Sequence, residues 1–235
     1  MDKIQIIEKL FYHIVTFSYL LLPLTWLKYR DRKGPSFYLA IYGLLVFLLL
    51  KEVFDKLPVK MQLTYLSLYT LLEFVFFSYL IVSHIQSRIL RRLSVAISIF
   101  FVGFLIFQIV SQAISTEKLP RLDSISVGIE SILLFIFIFL FFYDHSKNNK
   151  HGYIYNHFVF TLSVGILIYL GGSLFFNILA NLMTPEEFNS YWHYTYIAEI
   201  LKNVLFSIAI VMISRRERSR RTNQSPLPYL DMDMN

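Results

Sequence analysis

Residues 62–93, QLTYLSLYTLLEFVFFSYLIVSHIQSRILRRL, decide how the rest of the chain is read. The apolar run predicts one membrane-spanning helix with a carboxylate, Glu73, near its middle. Lys60 stands 13 residues before Glu73 and Arg88 stands 15 after it. A helix rises about 1.5 Å per residue, so Glu73 lies roughly 20 Å from either charged flank. That is deep inside a hydrocarbon layer about 30 Å thick. A carboxylate at that depth is costly, and it faces the bundle interior, a partner or a cavity rather than lipid.

The composition carries this reading outward. Of 235 residues, 56% are hydrophobic, with 23 Phe and 16 Tyr. Apolar blocks of about 20 residues recur, longer and purer than amphipathic surface helices. One polytopic membrane domain, residues 1–221, is expected, followed by a disordered tail at 222–235, TNQSPLPYLDMDMN, which has no apolar period. The chain has no cysteine, which excludes disulfides, thiolate catalysis and Cys-ligated metal. The first ten residues, MDKIQIIEKL, put Asp2 and Glu8 where a signal peptide has its basic region, so the first apolar block is expected to remain as a helix.

Seven spans are predicted, at 7–27, 36–51, 62–86, 94–114, 124–143, 157–182 and 194–213. Pro35, Pro58, Pro120 and Pro185 fall at or near their boundaries, where helices break. Pro23 is the exception and predicts a kink at the inner end of span 1. Basic residues then set the orientation. Lys28, Arg30, Arg32 and Lys33 follow span 1, and Arg88, Arg91 and Arg92 follow span 3. Lys147 and Lys150 follow span 5, and Arg215, Arg216, Arg218, Arg220 and Arg221 follow span 7. These make 14 of the 22 basic residues on one side. Positive loops favour the cytoplasm, so the N-terminus is expected outside and the C-terminus inside. The net charge of +6 is thus chiefly a topology signal, and nucleic acid is not an expected partner. Trp26 and Trp192 occupy span ends, as interfacial anchors do.

Counting inward from the basic flanks finds a polar layer. Glu73 is 15 residues before Arg88, Glu130 is 14 before Asp144, and Glu199 is 16 before Arg215. Lys202 is 13 before Arg215, and His13 is 15 before Lys28. Ionisable groups on separate helices therefore share one depth. Tyr65, Tyr69 and Glu73 follow a four-residue period, and Tyr69 can donate to the carboxylate. Gly165, Tyr169, Ser173, Asn177 and Asn181 form a stripe on span 6, and Gln108 and Gln112 form another on span 4. Glu199 and Lys202 are three apart and can pair. One reading makes these groups helix-to-helix glue. The other makes them line an outward-facing pocket, since three acids outnumber one lysine. The ligand-binding candidates are His13, Tyr69, Glu73, Gln108, Glu130, Asn177, Glu199 and Lys202.

Known chemistries fit poorly. Microbial rhodopsins share seven spans, a lysine in span 7 and an acid in span 3. Here Glu199 lies three residues before Lys202, where those proteins place an Asp four before, and the tryptophans that clamp retinal are missing. Zinc hydrolases of the ceramidase or adiponectin-receptor type need several intramembrane histidines. His84, His145, His151 and His157 instead lie near the cytoplasmic end, and no pair has HxxxH spacing. Sugar exporters with a three-plus-one-plus-three plan carry a Pro-Gln motif that is absent here. No cofactor and no metal are expected, and a non-enzymatic role is favoured.

The segments LYTLLEF in span 3 and ILIYLGGSLFFNILAN in span 6, with the arginine-rich end of span 3, resemble a group of uncharacterised seven-span bacterial inner-membrane proteins. The likeness covers spans 3 to 7. It implies a helical bundle, multi-pass in the bacterial inner (cytoplasmic) membrane, and it transfers no functional residue. The function expected is a membrane receptor or sensor-like protein with a polar pocket for a small ligand or cation. Its partners would be the lipid bilayer and a cytoplasmic or membrane protein. The alternatives are a proton- or cation-coupled transporter of a small solute and a scaffold or assembly subunit.

Overall fold

The computed structural model describes residues 3–29, 34–53, 59–114, 124–148, 158–179 and 182–223. Every regular element among them is an α-helix. In chain order these are α1 (Lys3–Ser18), α2 (Leu21–Tyr29), α3 (Pro35–Val53), α4 (Val59–Val82), α5 (Arg88–Ile114), α6 (Ser124–Asn148), α7 (Phe158–Leu179) and α8 (Pro185–Asn223). Each predicted span has a helical counterpart, with α1 and α2 together making the first. Pro58 and Pro120 lie outside the described residues.

Leu10–Tyr29, Arg88–Gln112, Ile125–Lys147 and Thr195–Arg216 are long and apolar enough to cross a membrane. Pro35–Leu50, Leu66–Val82 and Phe158–Leu174 are shorter apolar helices. The exterior matches: Phe100 is 82% exposed and Phe107 72%, on a face that only lipid would cover favourably. This is the build of a membrane protein.

The break in the first helix has a local cause. Proline lacks an N–H, and its ring clashes with the carbonyl four residues earlier. Pro23 therefore disrupts the helix at Tyr19, and the chain turns there before α2 begins. Leu20 and Leu22 donate their N–H groups to Phe17 and Tyr19 across the turn, at 3.0 and 3.3 Å. The expected kink thus lies one turn before the proline, near the middle of the segment. Gly43 of α3 packs against this turn. A Cβ there would meet the Tyr19 carbonyl oxygen at 2.7 Å.

Helix α8 is longer than its apolar span. Thr184 and Pro185 precede Glu186 and Glu187, a sequence suited to a helix start. Beyond the membrane-length segment, the basic run RRERSRR continues the same helix to Asn223. The helix therefore extends two residues into the stretch expected to be a tail, and residues 224–235 lie outside the described set. Helices α7 and α8 approach closely at two glycines one heptad apart. A Cβ on Gly165 would meet Phe206 at 3.2 Å, and one on Gly172 would meet Ala198 at 2.7 Å. Gly171 has open space instead, so close packing accounts for only one of the adjacent glycines. At the basic end, Asp144 of α6 is buried and accepts the backbone N–H groups of Gln86 and Ser87, at 2.5 and 3.2 Å. This ties the α4–α5 turn to α6.

Candidate functional site

Five helices and the α1–α2 turn send polar side chains to one buried centre. Tyr19 comes from the proline-induced turn, Tyr42 from α3, and Tyr69 and Glu73 from successive turns of α4. Tyr169 comes from α7, and Glu199 and Lys202 from α8. Glu130 of α6 lies within electrostatic reach of Glu73 and Lys202.

Lys202 is 0% exposed, and Glu73 is 2% exposed. The Lys202 Nζ lies 3.0 Å from Glu73 Oε1. An ammonium has three donors, and all three find acceptors. Besides Glu73, Lys202 donates to the Tyr42 hydroxyl at 3.1 Å and the Tyr19 hydroxyl at 3.3 Å. Its remaining surface is covered by the Tyr169 ring, with the nitrogen 3.7 Å from the ring centroid. The negative ring face adds cation–π attraction to the ion pair.

Glu73 is satisfied from the other side. Its Oε1 accepts from Tyr42 at 2.8 Å and from Tyr69 at 3.3 Å, and its Oε2 accepts from Tyr169 at 2.9 Å. The Tyr19 hydroxyl donates a hydrogen bond to Glu199 Oε1. The Tyr69 hydroxyl also lies 3.2 Å from the Tyr19 oxygen, so its single proton is shared between Tyr19 and Glu73. Breaking such a network exposes a charge without a partner in a medium that solvates it poorly.

The i, i+3 spacing of Glu199 and Lys202 suggests a pair within one helix, but the ion pair of Lys202 is with Glu73. Glu199 accepts a hydrogen bond from the Tyr19 hydroxyl and acts on Lys202 only electrostatically. The physical reason is satisfaction: Glu73 lets Lys202 reach Tyr19, Tyr42 and a carboxylate from one position. Glu130 contrasts with both. It is buried, and its Oε1 has no hydrogen-bond partner among the described residues.

Of the other residues singled out by sequence, His13 is exposed on α1, with its ring beside Tyr12. Gln108 accepts from Ser126 at 2.5 Å, joining α5 to α6 away from the Glu73 hydrogen bonds. Gln112 similarly accepts from Ser67 at 3.1 Å. The Asn177 side chain lies outside the described residues. Tyr19 and Tyr42 were not legible as site residues. Both are tyrosines well inside apolar spans rather than at the interface, where tyrosine normally concentrates, and that displacement was the available signal. Asn203, next to Lys202, donates to Ser18 at 2.8 Å and fastens α8 to α1.

No group of three or more metal-ligating side chains occurs among the described residues. Fold and centre together define an all-helical membrane protein organised around a buried lysine–glutamate pair. Comparison with family models, curated proteins and solved structures finds no match for this chain.

Proposed function

We propose that the chain is a seven-span protein of the bacterial inner membrane, N-terminus outside and C-terminus cytoplasmic, working as a receptor or sensor-like switch. The lock of the switch is the Glu73–Lys202 pair. The observation that carries this reading is that one buried ion pair ties α4 to α8 while hydroxyls from the α1–α2 turn, α3 and α7 all depend on it. A small cation or polar ligand that competes with Lys202 for Glu73 would release several helices together. Glu73, Glu130 and Glu199 supply acceptor oxygens around a single lysine, which suits an occupant that brings positive charge or hydrogen-bond donors. The signal would leave through the basic cytoplasmic face, including the helical RRERSRR segment, to a protein partner.

The test is thermal unfolding of the purified chain titrated with sodium, potassium, calcium and a panel of small amines. An effector that binds the folded state at 100 times its Kd adds about 2.7 kcal/mol. One of these probes should stabilise the wild type and fail to stabilise Glu73→Gln. If none does, and Glu73→Gln/Lys202→Met retains wild-type behaviour in the cell, the pair is only a structural clip and the chain a scaffold.

A second reading, a proton- or cation-coupled transporter, is favoured by Glu130. A buried acid with a bare oxygen beside an ion pair is suited to exchanging a proton with it. In reconstituted vesicles this reading requires solute flux driven by a pH gradient and lost in Glu130→Gln. A switch without transport would show no flux in either protein.

A further inference from the structure

Helix α5 is the long apolar helix that the Glu73 network leaves out, and one of its faces forms a second feature. Arg91, Val95, Ile99 and Val102 are spaced four, four and three residues apart, so they share a stripe. That stripe faces Tyr79 and Val82 of α4 across a groove of about 420 Å³. The volume is within the range of small-ligand sites, about 300–1,000 Å³. Its wall is almost wholly apolar except at the Arg91 end.

Two dimensions identify an occupant. From Arg91 to Val102 the helix advances about 16 Å, at about 1.5 Å per residue. That is close to half of a hydrocarbon layer about 30 Å thick, the depth of one leaflet. Arg91 lines the groove, and it and its neighbours in the first turns of α5, Arg88 and Arg92, are all exposed. Among the described residues no carboxylate lies within ion-pair distance of any of them. The nearby Asp144 is engaged by the Gln86 and Ser87 amides. The groove thus joins guanidinium charge, without a carboxylate partner among the described residues, to an apolar slot one acyl chain long.

We infer that the α4–α5 groove is a binding site for an anionic phospholipid, its phosphate held by Arg91 and one acyl chain laid along Val95, Ile99 and Val102. Guanidinium matches phosphate with paired, charge-assisted hydrogen bonds. A soluble anion makes no use of the apolar slot, and a neighbouring apolar helix fills the slot but leaves the arginines without an anion. The site requires only that α4 and α5 cross a bilayer, and it is independent of the Glu73–Lys202 reading.

The experiment is native mass spectrometry of the full chain, stripped of lipid in detergent and titrated with phosphatidylglycerol or phosphatidylcholine of identical acyl chains. One phosphatidylglycerol should bind at a concentration about tenfold below that for phosphatidylcholine, whose own choline ammonium competes with Arg91 for the phosphate charge. Arg91→Gln should remove the headgroup preference. Ser98→Trp, which fills the groove wall, should weaken both lipids. Arg91 is exposed, so its variant should keep the wild-type unfolding temperature, and Arg91→Lys should retain part of the preference. Equal binding of the two lipids by the wild type, or an undiminished preference in Arg91→Gln, overturns the proposal. So does displacement of the lipid by millimolar inorganic phosphate alone. A Ser98→Trp variant that binds both lipids normally, or that converts a dimer to a monomer, overturns it too, the latter by assigning the groove to a second copy.

Discussion

Lys202 and Glu73 are 129 positions apart in the chain, yet their charged atoms lie 3.0 Å apart with both side chains buried. No other ion pair occurs among the described residues. Its environment is made mostly of tyrosine, which supplies both hydroxyl partners for the charges and ring faces for the ammonium. A phenolic hydroxyl holds its proton far more tightly than a carboxyl does, so the tyrosines stay neutral donors that stabilise the pair without replacing either member.

The first prediction concerns coupling between these two residues. Glu73→Gln or Lys202→Met alone leaves one buried charge uncompensated, and each should cost about 3–5 kcal/mol. Glu73→Gln combined with Lys202→Met removes both charges and should recover much of that loss. Chemical or thermal unfolding of the four proteins gives the cycle directly. Losses that simply add would mean the pair contributes no coupling.

The tyrosine hydroxyls should be separable from their rings. Tyr42→Phe and Tyr169→Phe each delete a donor to a buried carboxylate, and each should lose about 1.5–3 kcal/mol. Tyr143→Phe, at an exposed position on α6, should stay within about 0.5 kcal/mol of wild type. Equal effects at all three positions would show that the network has no special strength.

Glu130 should respond differently from Glu73. A buried oxygen without a partner carries a desolvation cost, so Glu130→Leu should leave stability unchanged or raise it. The same substitution should abolish any response of the protein to a proton gradient. A loss of 1–3 kcal/mol, the usual cost of stranding a buried partner, would instead make Glu130 a helix-to-helix contact.

Two glycines offer a packing test that removes no charged or polar group. Gly43→Ala would drive its new methyl into the Tyr19 carbonyl and Leu22, and should cost about 1–3 kcal/mol. Because Tyr19 reaches both Lys202 and Glu199, that displacement should also lower effector binding. Gly103→Ala meets nothing within 4 Å and should be neutral or stabilising by up to about 1 kcal/mol. Matched melting curves of the two variants decide the point.

Much of the architecture is written in one-dimensional pattern. Apolar length marks the helices, Pro35 and Pro185 mark the starts of α3 and α8, and counting from Arg88 or Arg215 puts Glu73, Glu199 and Lys202 at a common depth. Helical rise is uniform, so depth in a straight helix follows from residue number alone. That is why the level of the charged layer was legible. The α1–α2 break was only half legible. Pro23 announces a disruption, while the ring-to-carbonyl clash moves it back to Tyr19.

Pairing was not legible, because depth says nothing about which faces meet. Spacing along α8 offered Glu199 to Lys202, and helix packing offered Glu73 together with Tyr19 and Tyr42. The second arrangement satisfies all three ammonium donors at once, which no neighbour along a single helix can do. Sequence alone therefore determined that this chain buries opposite charges at one level of an apolar helical bundle. Only the tertiary structure decided which charges touch, which acid is left with a bare oxygen, and that His13 and Gln108 stand apart. Those outcomes depend on the rotation of each helix about its axis, which is set by packing against every other helix.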